Sequence, residues 1–255
     1  MMESSAPAVV LDSHAHVVRS SIVGDDYQLS VWMPPGYASS ENSYPVVYVL
    51  DGSMTFGFAA QATMLSIFGE VVPEALVVGI GRSQHSAYEP GPSRARDFSS
   101  VPLPGDDESG HADSFAHALR NELLPYIDDR YRTDKSDRTL WGHSLGGVFA
   151  LRLLLTEPAL FQRVIATSPS VVHEGRSLVQ AGDWPAAGNK LEARVFTSVG
   201  SADDLYRPHV EAFNDELRAR DYLALRFETE LLPGYGHIAA APVGFLAGLR
   251  SVFQP

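Results

Sequence analysis

Apolar and polar positions change period repeatedly along the chain, and each change marks an element. VVLDSHAHVV and YQLSVWMPP (Tyr27–Pro35) read as strands, and Gly24-Asp25 between them signals a turn, so an antiparallel pair is predicted at the start. YPVVYVLDG (Tyr44–Gly52) and ALVVGIG (Ala75–Gly81) are near-continuous apolar runs, the pattern of strands buried on both faces. Between them FGFAAQATMLSIFG reads as a helix. HADSFAHALRNELLPYIDDRY carries apolar residues at helical spacing and predicts a long helix with a kink near Pro125.

From Arg138 the chain reads RTLWGHSLGGVFALRLLL, a strand giving way to a helix. RVIATSP and ARVFTSVG follow as strands, PHVEAFNDELRARD as a helix, LRFETELLPG as a strand and IAAAPVGFLAGLRSVF as a closing helix. Two irregular stretches interrupt the alternation, Arg82 to Gly110, rich in proline and glycine, and Ser168 to Lys190. Loops that long inside a compact domain are usually functional. Strands alternating with helices after an antiparallel start predict one α/β domain over residues 1–255, a mostly parallel sheet covered on both faces.

The strand-to-helix junction carries the chemistry. Gly142-His143-Ser144-Leu145-Gly146 places a serine on the turn between strand and helix, with glycines where the two backbones approach. A hydroxyl there sits at a helix N-terminus, where unpaired N–H groups favour developing negative charge, and the Leu145 N–H is placed to donate to an oxyanion. Serine needs an imidazole base and a carboxylate to orient it, following in the order serine, acid, histidine. His237, in the loop after the last strand, is the candidate base, and Asp203 or Asp204, just beyond the preceding strand, the candidate acid. The second oxyanion donor is expected from the loop after the Tyr44 strand, at Gly52 or Ser53. His143 is assigned to packing at the turn. Arg82, just past a strand end, is a candidate substrate-binding residue.

Composition narrows the chemistry further. The 255-residue chain has no cysteine, which removes disulfides, thiolate metal sites and a cysteine nucleophile. Its formal charge of −12, with lysine only at Lys135 and Lys190, argues against a nucleic acid or an anionic membrane as partner. The start lacks a basic n-region and a proper apolar h-region, so a cytoplasmic protein is the expectation.

YPVVYVLDG, ELLPYIDDRYRTD, RTLWGHSLGGVFAL, TSVGSADD and PGYGHIAAAP resemble, in order and spacing, the putative-esterase branch of the α/β-hydrolases. That branch includes siderophore trilactone esterases, S-formylglutathione hydrolases, feruloyl esterases and mycolyltransferases. The resemblance implies the α/β-hydrolase fold, Ser144 as nucleophile, His237 as base and Asp203 as acid, three residues after Gly200. It implies a serine carboxylic-ester hydrolase that acts through an acyl-enzyme on a small or medium ester, without metal or organic cofactor. RARDFSS, GHADSF and the C-terminal segment are most similar to the siderophore-esterase type, although Arg82, Arg94 and Arg96 are the only cations in view for an anionic ligand. An acyltransferase would use the same chemistry. A rival reading starts from LDSHAHVV, where Asp12, His14 and His16 fall on one face of a strand and resemble the opening metal motif of amidohydrolase-type enzymes.

Overall fold

A computed structural model describes residues 9–82, 93–173, 176–177, 179, 183–186 and 188–254. Its centre is an eight-stranded sheet. β1 (Ser13–Arg19) and β2 (Asp26–Trp32) form the antiparallel pair, and β3 (Tyr44–Leu50) leads through α1 (Gly52–Phe68) to β4 (Leu76–Arg82). α2 (Ser93–Phe98), α3 (Ala112–Ala118) and α4 (Leu124–Asp128) precede β5 (Thr133–His143), α5 (Leu145–Thr156) and β6 (Arg163–Thr167). A two-stranded ribbon of β7 (Val172–His173) and β8 (Arg176–Ser177) follows, then β9 (Lys190–Gly200), α6 (Arg207–Ala219), β10 (Leu223–Leu232) and α7 (Ala240–Phe253). The sheet order is β1-β2-β4-β3-β5-β6-β9-β10. β1 and β2 are antiparallel to their neighbours, and every other pairing is parallel.

The two-residue period of β3 explains why the sheet is covered on both sides. Val46, Tyr48 and Leu50 enter one core with Phe115, Leu119, Phe149 and Leu151, while Val47 and Val49 enter the other with Phe56, Trp141 and Phe245. The Trp141 and Phe245 rings lie 4.4 Å apart, locking the closing helix onto the sheet. β10 is the far edge, and its charged Arg226, Glu228 and Glu230 suit an edge strand, whose open backbone groups charged side chains protect. Among the described residues no helix is long and apolar enough to cross a membrane.

Several boundaries differ from the sequence reading. α1 starts at Gly52, four residues before the expected Phe56, so Gly52 and Ser53 belong to a helix N-terminus. The kink expected near Pro125 is instead a π turn over Leu119–Leu123, where the Leu124 N–H reaches back to the Leu119 carbonyl. Proline has no N–H for the ladder, and the wide turn absorbs that defect just before it. β5 begins at Thr133, upstream of Arg138, in a polar stretch that carries no apolar signal. The expected long loop from Arg82 contains α2, and its residues 83–92 lie outside the described residues.

Candidate active site

The candidate hydrolase groups collect where the parallel strands end. Ser144 links β5 to α5 with φ 57° and ψ −120°, a backbone conformation that side chains other than glycine rarely adopt. Surrounding bonds hold it there. The Ser144 N–H donates to the Thr167 carbonyl at 3.0 Å, and the Ser144 carbonyl accepts from the Val148 and Ser170 N–H groups at 3.1 and 3.2 Å. A Cβ on Gly142 would lie 2.1 Å from the Gly146 carbonyl oxygen, so only glycine fits at that crossing. At Gly146 a Cβ would meet nothing closer than 3.4 Å, an ordinary contact. The strand-side glycine is therefore the obligatory one.

His237 lies in the turn between β10 and α7. Its Nε2 is 2.9 Å from Ser144 Oγ, and its Nδ1 is 2.8 Å from Asp203 Oδ2. Asp203 is buried and also accepts from the Tyr206 N–H at 3.3 Å, whereas Asp204 is exposed. The two neighbours thus occupy opposite environments, with Asp203 the one on the imidazole. The loops carrying base and acid are tied together, since the Ala202 N–H donates to the Tyr235 carbonyl at 3.0 Å and the Gly234 N–H to Ser201 Oγ at 2.8 Å. A buried carboxylate, an imidazole and a serine hydroxyl in series form a proton-transfer relay. The carboxylate fixes the Nδ1–H tautomer, leaving Nε2 free to accept the serine proton.

Leu145 is the first residue of α5, where N–H groups have no partner within the helix. The β3–α1 turn packs beside it, for a Cβ on Gly146 would be 3.4 Å from Asp51 Oδ2. Gly52 and Ser53 follow Asp51 on that turn. Both are pressed onto the end of β4, where added Cβ atoms at Gly52 and Gly81 would come within 2.6 Å of the facing backbone.

Sequence reasoning missed three neighbours of the relay. Ser170 Oγ is 3.0 Å from Ser144 Oγ, and the Tyr206 ring packs on His237 at 4.6 Å. Arg94, considered only as a cleft cation, makes a two-pronged pair with Asp51 and also donates to the His143 carbonyl. Ser170 and Tyr206 each lie a few residues past a strand end, which is the one signal that could have flagged them. His143 is buried with its ring 4.9 Å from His237. Burial, helped by the neighbouring His237 and Arg94, pushes its pKa down to about 3. It stays neutral and packs.

The "Putative esterase" family profile matches residues 20–240. The chain belongs to that family. It is similar to the ferri-bacillibactin esterase BesA of Bacillus subtilis, with 33% identity over 83% of this chain and 80% of that one. It is also similar to the siderophore triacetylfusarinine C esterase of Aspergillus fumigatus, 27% identical over 62% of this chain and 58% of the relative. Among solved structures, the BES protein from Bacillus cereus superposes with a TM-score of 0.89 at 26% identity, covering 100% of both chains. The protein is therefore a serine esterase of α/β-hydrolase type, as its motifs implied.

Two further candidates come out differently from the relay. Arg82 is ion-paired with Asp25, which Arg96 shares, and burial holds its pKa below the usual arginine value. One of its nitrogens, Nη1, is buried and has no hydrogen-bond partner among the described residues. The metal trio of the rival reading is not assembled. Among the described residues no group of three or more His, Cys, Asp or Glu side chains is placed to hold an ion. Asp12 takes a positive φ of 55° at the turn before β1, and its carbonyl accepts the Met33 N–H. His14 and His16 face tyrosines instead, with Tyr131 Oη 3.3 Å from His14 Nδ1 and 2.7 Å from His16 Nε2.

Proposed function

We propose that this esterase opens the ester linkages of a siderophore-type lactone through an acyl-enzyme on Ser144. The observation that carries the mechanism is the unbroken Ser144–His237–Asp203 chain of 2.9 and 2.8 Å bonds, built on a serine at φ 57°. His237 Nε2 takes the proton as Ser144 Oγ attacks the ester carbonyl. The Leu145 N–H, with that of Gly52 or Ser53, stabilises the tetrahedral oxyanion. His237 then gives the proton to the departing alkoxide, and a water activated by the same imidazole clears the acyl group. Asp203 holds the imidazole tautomer and balances the imidazolium.

The substrate class is supported by the names of the relatives and by the rim. Met54, Leu205 and Ile238 are 62%, 67% and 75% exposed, yet they stand within two residues of Ser53, Asp203 and His237. Large apolar side chains left in water on the loops that carry the site suit a substrate with broad apolar or aromatic groups. Charge plays the smaller part, because Arg82, Arg94 and Arg96 are engaged by Asp25, Asp51 and Asp97. Arg82, part-buried at that strand end, is the cation we assign to the ligand.

A hydrolysis screen tests this reading. It compares a catecholate trilactone, iron-free and ferric, with p-nitrophenyl esters, a feruloyl ester and S-formylglutathione. Highest kcat/KM on a trilactone is expected, with free acid as product even when an alcohol is added. Turnover of simple esters with no trilactone cleavage would overturn the substrate assignment, and an alkyl ester product would mark an acyltransferase.

A further inference from the structure

We infer that Arg94 is a positioning residue of the oxyanion hole, acting through Asp51 and the His143 carbonyl; the inference rests on the reading of Ser144 as nucleophile. Arg94 Nε donates to Asp51 Oδ1 at 2.7 Å, and Nη2 donates both to Asp51 Oδ2 at 3.0 Å and to the His143 carbonyl at 3.1 Å. The two acceptors belong to the two chain segments that carry the oxyanion donors. Asp51 immediately precedes Gly52 and Ser53, and the His143 carbonyl shares its peptide unit with the nitrogen of Ser144, one residue before Leu145. One planar guanidinium therefore spans the gap between the β3–α1 turn and the β5–α5 turn. Its guanidinium carbon also stands over the Phe98 ring, 5.5 Å from the centroid.

The behaviour of Asp51 makes this more than a surface ion pair. Asp51 is the residue before α1, where an aspartate normally accepts from the helix's first N–H groups. Here its side chain makes no capping bond, and its backbone takes a left-handed φ of 56°. Arg94 holds the carboxylate to itself. A capping carboxylate would occupy the N–H groups of the first turn and set a negative charge where a second negative charge has to develop. Both the position and the availability of the Gly52 or Ser53 donor thus depend on the guanidinium. Lysine cannot replace it, since a point charge on a flexible stem does not reproduce a planar fork with three bonds.

The test uses the full chain carrying Arg94→Lys, Arg94→Gln or Asp51→Asn, a p-nitrophenyl ester, and an aryl trifluoromethyl ketone, which adds to the serine as a tetrahedral oxyanion. Losing a donor outright costs about 10²- to 10³-fold, so displacing one should lower kcat by about 10- to 100-fold with KM changed less than about threefold. The ketone's inhibition constant should rise by the same factor as kcat falls, which a general loosening of the fold would not produce. Asp51→Asn, which leaves Arg94 a neutral acceptor, decides the matter if the Arg94 variants do not fold. A kcat within about threefold of the parent, or a loss confined to KM with ketone affinity unchanged, overturns the inference. Ser144→Ala runs alongside: if it retains parent turnover the esterase reading itself fails, and if it is inactive while the Arg94 and Asp51 variants are not, only the clamp fails.

Discussion

Histidines stand at two places on this sheet, and their settings could hardly differ more. At the C-terminal ends of the parallel strands, His237 joins a buried carboxylate to a serine held at φ 57°. At the opposite edge, His14 and His16 sit on an antiparallel strand and bond to phenols, with His16 also 3.4 Å from the Tyr126 hydroxyl. The first set has a carboxylate to hold a tautomer and a nucleophile to deprotonate. The second has neither. What makes a histidine reactive is the pair of groups on its two nitrogens, and the fold supplies that pair only where strands end and loops converge. Close backbone packing follows the same division. Asp51, Ser144 and Ser168, at the ends of β3, β5 and β6, all take positive φ, and the tightest glycine contacts lie beside them at Gly142 and Gly200. A Cβ on Gly200 would fall 2.0 Å from the Tyr235 carbonyl oxygen, so the loop bearing His237 can cross only a glycine there.

The comparison breaks most sharply at the serine. Ser144→Ala should lower turnover by about 10⁴-fold or more, since binding and the oxyanion donors are all that remain. Folding should survive, because the alanine loses only a hydroxyl at the rim. Turnover within about tenfold of the parent, in protein freed of contaminating esterase, would sink the mechanism.

The next effect separates two adjacent residues. Asp203→Asn should cost about 10⁴ in turnover by allowing the wrong imidazole tautomer and removing the counter-charge. Asp204→Asn, at an exposed position, should change stability by no more than about 0.5 kcal/mol and leave turnover alone. Each variant is assayed for turnover and thermal midpoint. Loss at Asp204 with Asp203 unaffected would reverse the assignment.

Much of this site was legible because its determinants are local. Ser144, Leu145 and Gly142 lie within four residues, and the order of serine, acid and histidine follows from strand ends that apolar runs already mark. The apolar run of β3 and the closing helix were legible for the same reason. Arg94 was not, because its meaning depends on Asp51 and on the His143 carbonyl, partners far away in the chain that only the folded sheet brings together. The start of β5 at Thr133 escaped for another reason. Its pairing to β3 is backbone chemistry, and its side chains there are polar. Asp12, His14 and His16 show the converse, a spacing that looks like a site although, among the described residues, no three such side chains are placed to hold an ion.

A smaller effect sharpens the distinction between the catalytic imidazole and its packing neighbour. His143 titrates near 6.5 when the chain is unfolded but is pushed down to about 3 by burial, His237 and Arg94 in the native protein. Between those values the unfolded chain binds a proton that the native one refuses. Stability should therefore fall as pH drops from about 6.5 towards 3, by about 1.4 kcal/mol per pH unit from this group alone. Chemical-denaturation midpoints between neutral pH and pH 4.5 should decline less steeply in His143→Gln than in the parent. Equal slopes would show that His143 is not the group responsible.

The smallest expected effect lies at the edge where the rival metal reading began. Tyr131 is 8% exposed, and burial raises its pKa above the usual tyrosine range, so its hydroxyl stays protonated and serves His14 and His16 as a neutral hydrogen-bonding partner. One hydroxyl has one proton, so it donates to one imidazole and accepts from the other, stapling β1 to the turn before β5. Tyr131→Phe removes both bonds while keeping the ring, and should cost about 1 kcal/mol of stability. Turnover should be unchanged within about twofold, because nothing in this cluster touches the relay. Treatment with EDTA should likewise leave activity intact. A chelator-induced loss that zinc or manganese restores, removed in turn by His14→Ala or His16→Ala, would overturn that division of labour and return Asp12, His14 and His16 to consideration as a functional centre.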